Sequence, residues 1–123
     1  MFDYYEPVPA PVCPWCGAAF EVWQGKDGPN ALFVWRQGDA RPVDQRVEDE
    51  SRTDPARLPE FALPDRFTIH GWCVSGHGTQ ATGQCREGVW TRFDLSPDDL
   101  RYAAEKRERD RIGELRRSWS REP

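Results

Sequence analysis

The sequence predicts a small β-rich domain, a meander of about five strands, that ends in a single C-terminal α-helix. Three observations lead to this prediction. Short runs rich in β-branched and aromatic residues alternate with glycine-rich and proline-rich turns. Two cysteines near the N-terminus, Cys13 and Cys16, have the spacing of a metal-binding turn. Near residue 96 the chain changes to a dense, charged segment that begins with helix-start signals.

The length and composition indicate one domain with a thin core. A chain of 123 residues has room for one domain, which buries only about two-thirds of the surface that its unfolded chain exposes. Hydrophobic residues make up 37% and charged residues 31%, so a metal crosslink would supply stability that the core cannot. Six tryptophans and six phenylalanines argue against a disordered chain, since disordered chains contain few aromatic residues.

The charge is acidic and unevenly distributed. The formal net charge is −4, which argues against a general nucleic-acid binder because phosphate contacts need clustered cations. Residues 1–97 contain 9 basic and 14 acidic side chains, and residues 98–123 contain 8 and 7. The acidic segment of residues 1–97 would favour a basic protein partner, while the C-terminal segment mixes both signs.

The sequence favours a cytoplasmic protein with no membrane contact. No apolar run reaches the ~18 residues of a membrane span, and the first residues lack the basic and apolar regions of a signal peptide. In the reducing cytosol, four cysteines are more suited to holding metal than to forming disulfides. The ratio of 15 arginines to 2 lysines suggests a GC-rich bacterial genome.

The N-terminal half is predicted to contain an arm, a hairpin and a charged excursion. Residues 1–12 include three prolines and are expected to form an extended arm. A zinc-stapled β domain is expected over 13–95, with strands at 19–24 and 31–36 forming a hairpin. Of the 29 residues at 38–66, 13 are charged and four are proline, so this excursion is not expected to hold a buried strand; only a short helix after Asp54 is predicted there.

The C-terminal half is predicted to finish the meander and then turn helical. Strands are expected at 67–74, 79–85 and 89–95. A charged helix should occupy 96–119, because Ser96 can cap it, Pro97 suits its first turn, and two aspartates follow at its positive end. Its apolar side chains lie on one stripe that charged residues interrupt, so burial is expected only at the two ends. The stripe consists of Leu100, Ala104, Ile112, Leu115 and Trp119.

A metal site is the strongest functional prediction. Cys13 and Cys16 can point both sulfurs at one ion, since the glycine that follows them lets the backbone turn. Cys73 is the natural third ligand, and two residues compete for the fourth position. If 75–78 is a hairpin tip, Cys85 lies some five residues, roughly 16 Å, along the strand from the position that faces Cys73, and His77 is nearer. A bend or bulge at Gly83 would return Cys85 to the metal. The expected ion is Zn²⁺.

The run Cys13-Pro14-Trp15-Cys16-Gly17 resembles the knuckle of zinc ribbons and rubredoxins. The resemblance covers these five residues and, more loosely, the predicted hairpin after them. It implies a zinc-ribbon-like β domain in which a second knuckle closes the site. The sequence departs from that pattern because 56 residues separate Cys16 from Cys73 and the second half is not Cys-x2-Cys.

Two other interpretations of the cysteines remain open. Buried free cysteine is a common small core residue. Cys-Pro-Trp-Cys is also similar to the motif of thioredoxin-like oxidoreductases, whose first thiol is activated at a helix N-terminus. Here proline-rich residues precede the motif and a predicted strand follows it, so the activating helix is not expected.

The predicted function is therefore not enzymatic. No nucleophile with a base, pair of carboxylates or open metal position can be identified, and four protein ligands close a zinc site to substrate. The sequence favours a zinc-binding protein-interaction module, an adaptor or an immunity-type antagonist of a basic protein, with no small-molecule substrate. The helix would contribute Arg107, Arg111 and Trp119 to the partner surface. A nucleic-acid-binding zinc ribbon and a thiol oxidoreductase are the alternatives.

Overall fold

A single mixed sheet followed by one helix forms the fold. The computed structural model describes residues 2–39, 41–44 and 62–120, and within them seven strands precede the helix. The prediction of a small β-rich fold with one C-terminal helix is confirmed. The elements are β1 (Asp3–Glu6), β2 (Phe20–Gly25), β3 (Phe33–Arg36), β4 (Val43–Asp44), β5 (Arg66–Cys73), β6 (Gly78–Arg86), β7 (Val89–Leu95) and α1 (Pro97–Ser120).

The strands lie in the order β4-β3-β1-β2-β5-β6-β7. All neighbours are antiparallel except β1 and β3, which run parallel. Of the predicted meander of about five strands, the last three correspond to β5, β6 and β7, which pair in chain order. Glu87 and Gly88 connect β6 to β7 with φ angles of 53° and 80°, and a two-residue turn with two positive φ angles matches the right-handed twist of the strands it joins.

The N-terminal segment lies within the sheet, which corrects two predictions. Residues 3–6 of the predicted arm form β1, which lies between β2 and β3. The predicted hairpin of 19–24 with 31–36 is therefore wrong, since its two strands both pair with β1 and not with each other. The prolines that suggested an extended arm all follow β1, at positions 7, 9 and 11.

A buried carboxylate holds β1 in place. Asp3 is fully buried, and its Oδ1 accepts hydrogen bonds from the backbone N–H groups of Ala31 (2.8 Å) and Phe33 (3.1 Å). Its Oδ2 accepts from the Asn30 N–H (3.2 Å) and from the indole Nε1–H of Trp35 (3.1 Å). A buried carboxylate is tolerated when donors surround it, so these four bonds join β1 to the loop and strand at 30–35.

Aromatic side chains fill the core on one face of the sheet. The rings of Tyr5 and Phe67 stack at 5.2 Å, and Trp90 meets both of them edge-on. Two buried glycines provide the room, because a Cβ at Gly83 would overlap the Phe67 ring and one at Gly71 would lie 2.6 Å from Trp23. The buried cluster consists of Tyr5, Trp23, Phe33, Trp35, Leu63, Phe67, Ile69, Ala81 and Trp90.

The helix begins where it was predicted to begin but is buried differently. The Ser96 Oγ accepts from the Asp99 N–H at 3.4 Å, and the Asp99 Oδ2 accepts from the Gln80 N–H at 2.8 Å. Ala103 is completely buried. The expected burial of the helix ends is wrong: Leu100, Ile112, Leu115 and Trp119 are 43%, 38%, 41% and 66% exposed.

The predicted excursion at 38–66 falls largely on residues that are not described, namely 40 and 45–61. The short helix predicted after Asp54 lies outside the described residues. Within the described part of the excursion, Val43–Asp44 form β4 at one edge of the sheet. Among the described residues, no helix has both the length and the apolar character needed to span a bilayer.

Candidate metal centre

Four of the predicted ligands lie together at one end of the sheet. The ligand atoms of Cys13, Cys16, Cys73 and His77 are all within 4.8 Å of one another. Cys13 and Cys73 are buried, His77 is half-buried and Cys16 is exposed. Two ligands come from the turn after β1, one from the end of β5 and one from the β5–β6 connection. A bound ion would therefore crosslink distant parts of the chain.

The first half of the cluster is a tight turn. The Gly17 N–H donates to the Cys13 carbonyl at 2.8 Å, and the Cys13 N–H donates to the Ala18 carbonyl at 2.8 Å. Gly17 has a φ of 75°, a conformation that glycine adopts without the Cβ clash of other residues. A bridge between Val12 and Ala19 closes the loop, so both sulfurs lie in a turn with fixed ends.

The second half is the loop from β5 to β6. Cys73 is the last residue of β5, its N–H donates to the His77 carbonyl at 3.1 Å, and the Gly76 N–H donates to the Cys73 carbonyl at 2.9 Å. The two halves meet because β2 pairs with β5, which places Phe20 opposite Cys73. The Val74 N–H also donates to the Ala19 carbonyl at 3.2 Å.

Two of the distances between ligand atoms in the cluster match the edges of a tetrahedral metal site. Zn–S bonds of about 2.3 Å and Zn–N bonds of about 2.0–2.1 Å give tetrahedral edges of about 3.8 Å between two sulfurs and about 3.5–3.6 Å between sulfur and nitrogen. The Cys16 and Cys73 sulfurs are 3.7 Å apart. The Cys73 Sγ is 3.5 Å from the His77 Nδ1. Since all four ligand atoms also lie within 4.8 Å of one another, these residues could hold a metal ion.

Backbone donors stabilise negative charge on the sulfurs. Burial raises the pKa of the Cys73 thiol, but the N–H groups of His77 and Ser75 and the His77 ring outweigh it, and the pKa falls to about 6. Burial raises the pKa of Cys13 even though the Trp15 and Cys16 N–H groups oppose this effect. A metal ion binds thiolates rather than thiols, so Cys73 is prepared to bind at neutral pH.

The structure places His77, and not Cys85, beside the three other candidate ligands, Cys13, Cys16 and Cys73. Gln84 pairs with Arg66 at the start of β5, and the Cys85 N–H donates to the Asp65 carbonyl at 2.7 Å. Cys73 ends the same strand, roughly 25 Å away at the rise of a β-strand. The bulge does occur next to Cys85, between Gln84 and Cys85, but it leaves the thiol packed against the core.

The three residues of this chain that were predicted to bind a partner, Arg107, Arg111 and Trp119, differ in their contacts. The Arg107 Nη1 donates to the Pro14 carbonyl at 2.7 Å, within the cysteine turn. Arg111 forms an ion pair with Glu108 on the same helix, and Trp119 is exposed. Their role in binding a partner stays a prediction, and Arg107 has the additional role of joining α1 to the cluster.

Two features of the site were missed from the sequence: the contact of Trp15 with His77, and the helix face that packs on the rest of the domain. The Trp15 ring stacks on the His77 ring with centroids 6.4 Å apart and planes at 26°.

One face of the helix contacts the rest of the domain. Its residues recur every four positions: Asp99 accepts a hydrogen bond from Gln80, Ala103 is buried, and Arg107 donates to Pro14. The four-residue spacing could have indicated this helix face from the sequence, although two of the three residues are charged.

The local fold around the cysteines differs from that of a thioredoxin-like site. The residues after Cys16 form a turn, a bridge and then β2. No helix begins at the cysteine turn within the described ranges, so the dipole that activates such a thiol is not supplied there.

Together, the fold and the cluster define a small β-rich protein with a possible Cys₃His metal site. Comparisons with protein families, with curated proteins and with solved structures found no match to this chain.

Proposed function

We propose that the Cys13, Cys16, Cys73 and His77 cluster binds Zn²⁺. The observation that carries this proposal is the agreement of the 3.7 Å and 3.5 Å edges with a tetrahedron of zinc ligands. Three thiolates and one imidazole form one of the common structural zinc sites, and soft sulfur ligands disfavour calcium and magnesium.

We propose that the ion is structural and not catalytic. Four protein ligands complete a tetrahedron and leave no position for a reacting water. The ion would tie the turn after β1 to the loop between β5 and β6 and so supplement a small aromatic core. A reducing cytoplasm suits this role, since all four cysteines are free thiols in the structure.

The zinc-stapled domain serves, in this proposal, as a protein-interaction module such as an adaptor or an antagonist of another protein. Two features support this role. The part of the chain before the helix is acidic, with 14 acidic and 9 basic residues through residue 97. The helix also presents large exposed apolar side chains, which often mark interaction surfaces: Tyr102, Ile112, Leu115 and Trp119.

Native mass spectrometry of the purified chain tests the zinc proposal. The expected result is one zinc ion per chain, lost on treatment with a strong chelator, with a matching loss of structure in the near-ultraviolet circular dichroism. A fully folded chain that carries no metal and takes up none from added Zn²⁺ would refute the proposal.

Nucleic-acid binding is the second candidate, and one observation favours it. Trp72 is 41% exposed and lies on the sheet face beside His70, Phe2 and Lys26, around an open cleft of about 330 Å³. Exposed aromatic rings near a cation can stack nucleotide bases. Fluorescence anisotropy with a single-stranded oligonucleotide tests it: binding that weakens steeply between roughly 50 and 200 mM salt and is lost in Trp72→Ala would favour this candidate.

A further inference from the structure

Cys16 is the exposed thiol of the candidate metal centre. The other two cysteines of the cluster, Cys13 and Cys73, are only 1% and 2% exposed, so an oxidant in solution reaches Cys16 more readily. Redox-sensing cysteines are thiolates that solvent can reach, and they often lie beside a second cysteine that resolves the first oxidation product. A bound metal ion holds its cysteines as thiolates, so Cys16 meets the first of these conditions in the zinc-loaded protein.

Cys73 has the position of a resolving cysteine. Its sulfur is 3.7 Å from that of Cys16, and a disulfide has a sulfur–sulfur distance of about 2.05 Å. The two sulfurs must therefore approach by about 1.7 Å. Exposed side chains change rotamer within nanoseconds, so Cys16 can supply this movement, while Cys73 stays at the end of β5 with its N–H bonded to the His77 carbonyl.

We propose that the cluster is a redox switch, in which hydrogen peroxide oxidises Cys16, a disulfide forms between Cys16 and Cys73, and the zinc ion is released. This inference rests on the zinc site proposed above and adds its regulation. The disulfide removes two of the four ligands and leaves Cys13 and His77, whereas structural zinc sites use four protein ligands.

The oxidation balances in two steps. The Cys16 thiolate attacks one oxygen of hydrogen peroxide; the sulfur–oxygen bond forms, the oxygen–oxygen bond breaks, and hydroxide leaves. The Cys73 thiolate then attacks the Cys16 sulfur; the disulfide bond forms, the sulfur–oxygen bond breaks, and a second hydroxide leaves. Two protons from the solvent convert both hydroxides to water. The two sulfurs supply the two electrons that reduce the peroxide, and the zinc ion leaves with its charge unchanged.

The disulfide would replace the crosslink that the ion provides. Cys16 lies in the turn after β1, Cys73 ends β5, and the two are 57 positions apart. A covalent bond between them ties together the same two parts of the chain, and a crosslink across a long loop stabilises a fold by restricting the unfolded chain. Oxidation should therefore release zinc while the sheet stays folded.

Peroxide treatment of the zinc-loaded full chain tests the proposal, with a zinc indicator and a peptide map as readouts. One zinc ion should be released for each disulfide formed, and a thiol reductant should restore binding. After alkylation and trypsin digestion, the new disulfide should join the peptide 1–26, which contains Cys13 and Cys16, to the peptide 67–86, which contains Cys73 and Cys85. A disulfide within the peptide 1–26 would show that Cys13 is the resolving cysteine and would overturn the assignment of Cys73.

Two variants locate the reacting thiols. Cys85→Ser is the matched control, because it removes the other cysteine of the peptide 67–86 from outside the cluster; it should release zinc at the unchanged rate and form the same crosslink. Cys16→His keeps four potential ligands but removes the exposed thiol, and its zinc should be released at least ten-fold more slowly. Equal rates in Cys16→His and the unmodified chain would contradict the role of Cys16, and the peptide map of the unmodified chain tests that role without a substitution.

Near-ultraviolet circular dichroism tests the replacement of the crosslink. The oxidised, zinc-free chain should keep the spectrum of the zinc-loaded protein, whereas the reduced chain treated with chelator should lose it. Equal loss in both samples would show that the disulfide does not take over the role of the ion.

The switch and the zinc site can fail separately. A chain that takes up no zinc before peroxide is added contradicts the zinc site, and with it the release of zinc. A zinc-loaded chain that keeps its ion in peroxide, or that loses it without forming a disulfide, contradicts only the switch.

Discussion

The Arg107 Nη1 donates a hydrogen bond to the carbonyl oxygen of Pro14 at 2.7 Å. Pro14 lies between the two cysteines of the turn, and Arg107 lies one helical turn after the buried Ala103. This bond joins residues 93 positions apart and connects the helix to the candidate metal centre. The orientation of α1 should therefore depend on the shape of the cysteine turn.

Replacing Arg107 by alanine should loosen the helix without unfolding the sheet. A hydrogen bond from a charged donor to a carbonyl that is partly exposed contributes about 1 kcal/mol, which corresponds to roughly five-fold faster amide exchange near residues 103–107. Hydrogen exchange with mass spectrometry measures this change. Arg109→Ala, an exposed neighbour, is the control, and equal exchange in both variants would contradict the role of the bond.

Removing the metal should have a related effect on the helix. Without an ion, no bond would hold the cysteine turn to the other ligands, so the turn could open and the Pro14 carbonyl would no longer be held in front of Arg107. Chelation should speed amide exchange in both 13–17 and 103–107, while exchange in β6 changes less. Faster exchange in the cysteine turn alone would show that the helix is not coupled to it.

Asp3→Ala should be among the most destabilising single substitutions. It removes the acceptor of four hydrogen bonds at a fully buried position, and unsatisfied buried donors cost about 1–3 kcal/mol each before relaxation. We expect a loss of about 3–5 kcal/mol in the free energy of unfolding, measured by urea denaturation. Asp94→Ala is the control, since its exposed ion pair with Arg92 contributes under about 1 kcal/mol.

Glycine-to-alanine substitutions should have opposite effects at two positions. Gly83→Ala places a Cβ against the Phe67 ring and should cost about 1–3 kcal/mol through overpacking. Gly113→Ala meets only the flexible end of Arg117 at 3.4 Å and should stabilise the helix by up to about 1 kcal/mol. Urea denaturation measures the first change, and slower amide exchange at 110–117 measures the second.

The four cysteines should differ in their importance for metal binding. Cys16→Ser removes a sulfur that lies 3.7 Å from its neighbour in the cluster and should abolish tight zinc binding. Cys85→Ser changes a thiol on β6 that lies beside the start of β5, far from the cluster, and should leave zinc stoichiometry at one per chain. Titration with a competing zinc indicator measures both affinities; loss of zinc in Cys85→Ser but not in Cys16→Ser would contradict the assigned ligands.

Features set by local sequence were predictable. The β5–β7 meander follows from alternating side chains and turn residues, and β7 has the predicted bounds, Val89–Leu95. The start of α1 follows from Ser96 and Pro97, whose capping and backbone preferences act within one turn. The cysteine turn is equally local, which is why Cys13 and Cys16 could be paired from spacing alone.

Features set by distant contacts were not predictable. The insertion of β1 depends on the pairing of Tyr4 with Val34 and on the hydrogen bonds of Asp3 to residues about 30 positions away. The choice of His77 over Cys85 depended on the register of β5 with β6, which fixes the end of the sheet at which each side chain lies. Burial of Ala103 rather than Leu100 depends on how closely the helix approaches the sheet, which hydrophobicity does not encode.

X-ray absorption spectroscopy at the zinc edge tests the proposed site most directly. The zinc-loaded protein should show three sulfur ligands at about 2.3 Å and one nitrogen ligand at about 2.0–2.1 Å, from Cys13, Cys16, Cys73 and His77. A shell with four sulfurs would contradict the exclusion of Cys85, and a shell made mainly of oxygen and nitrogen would contradict the site itself.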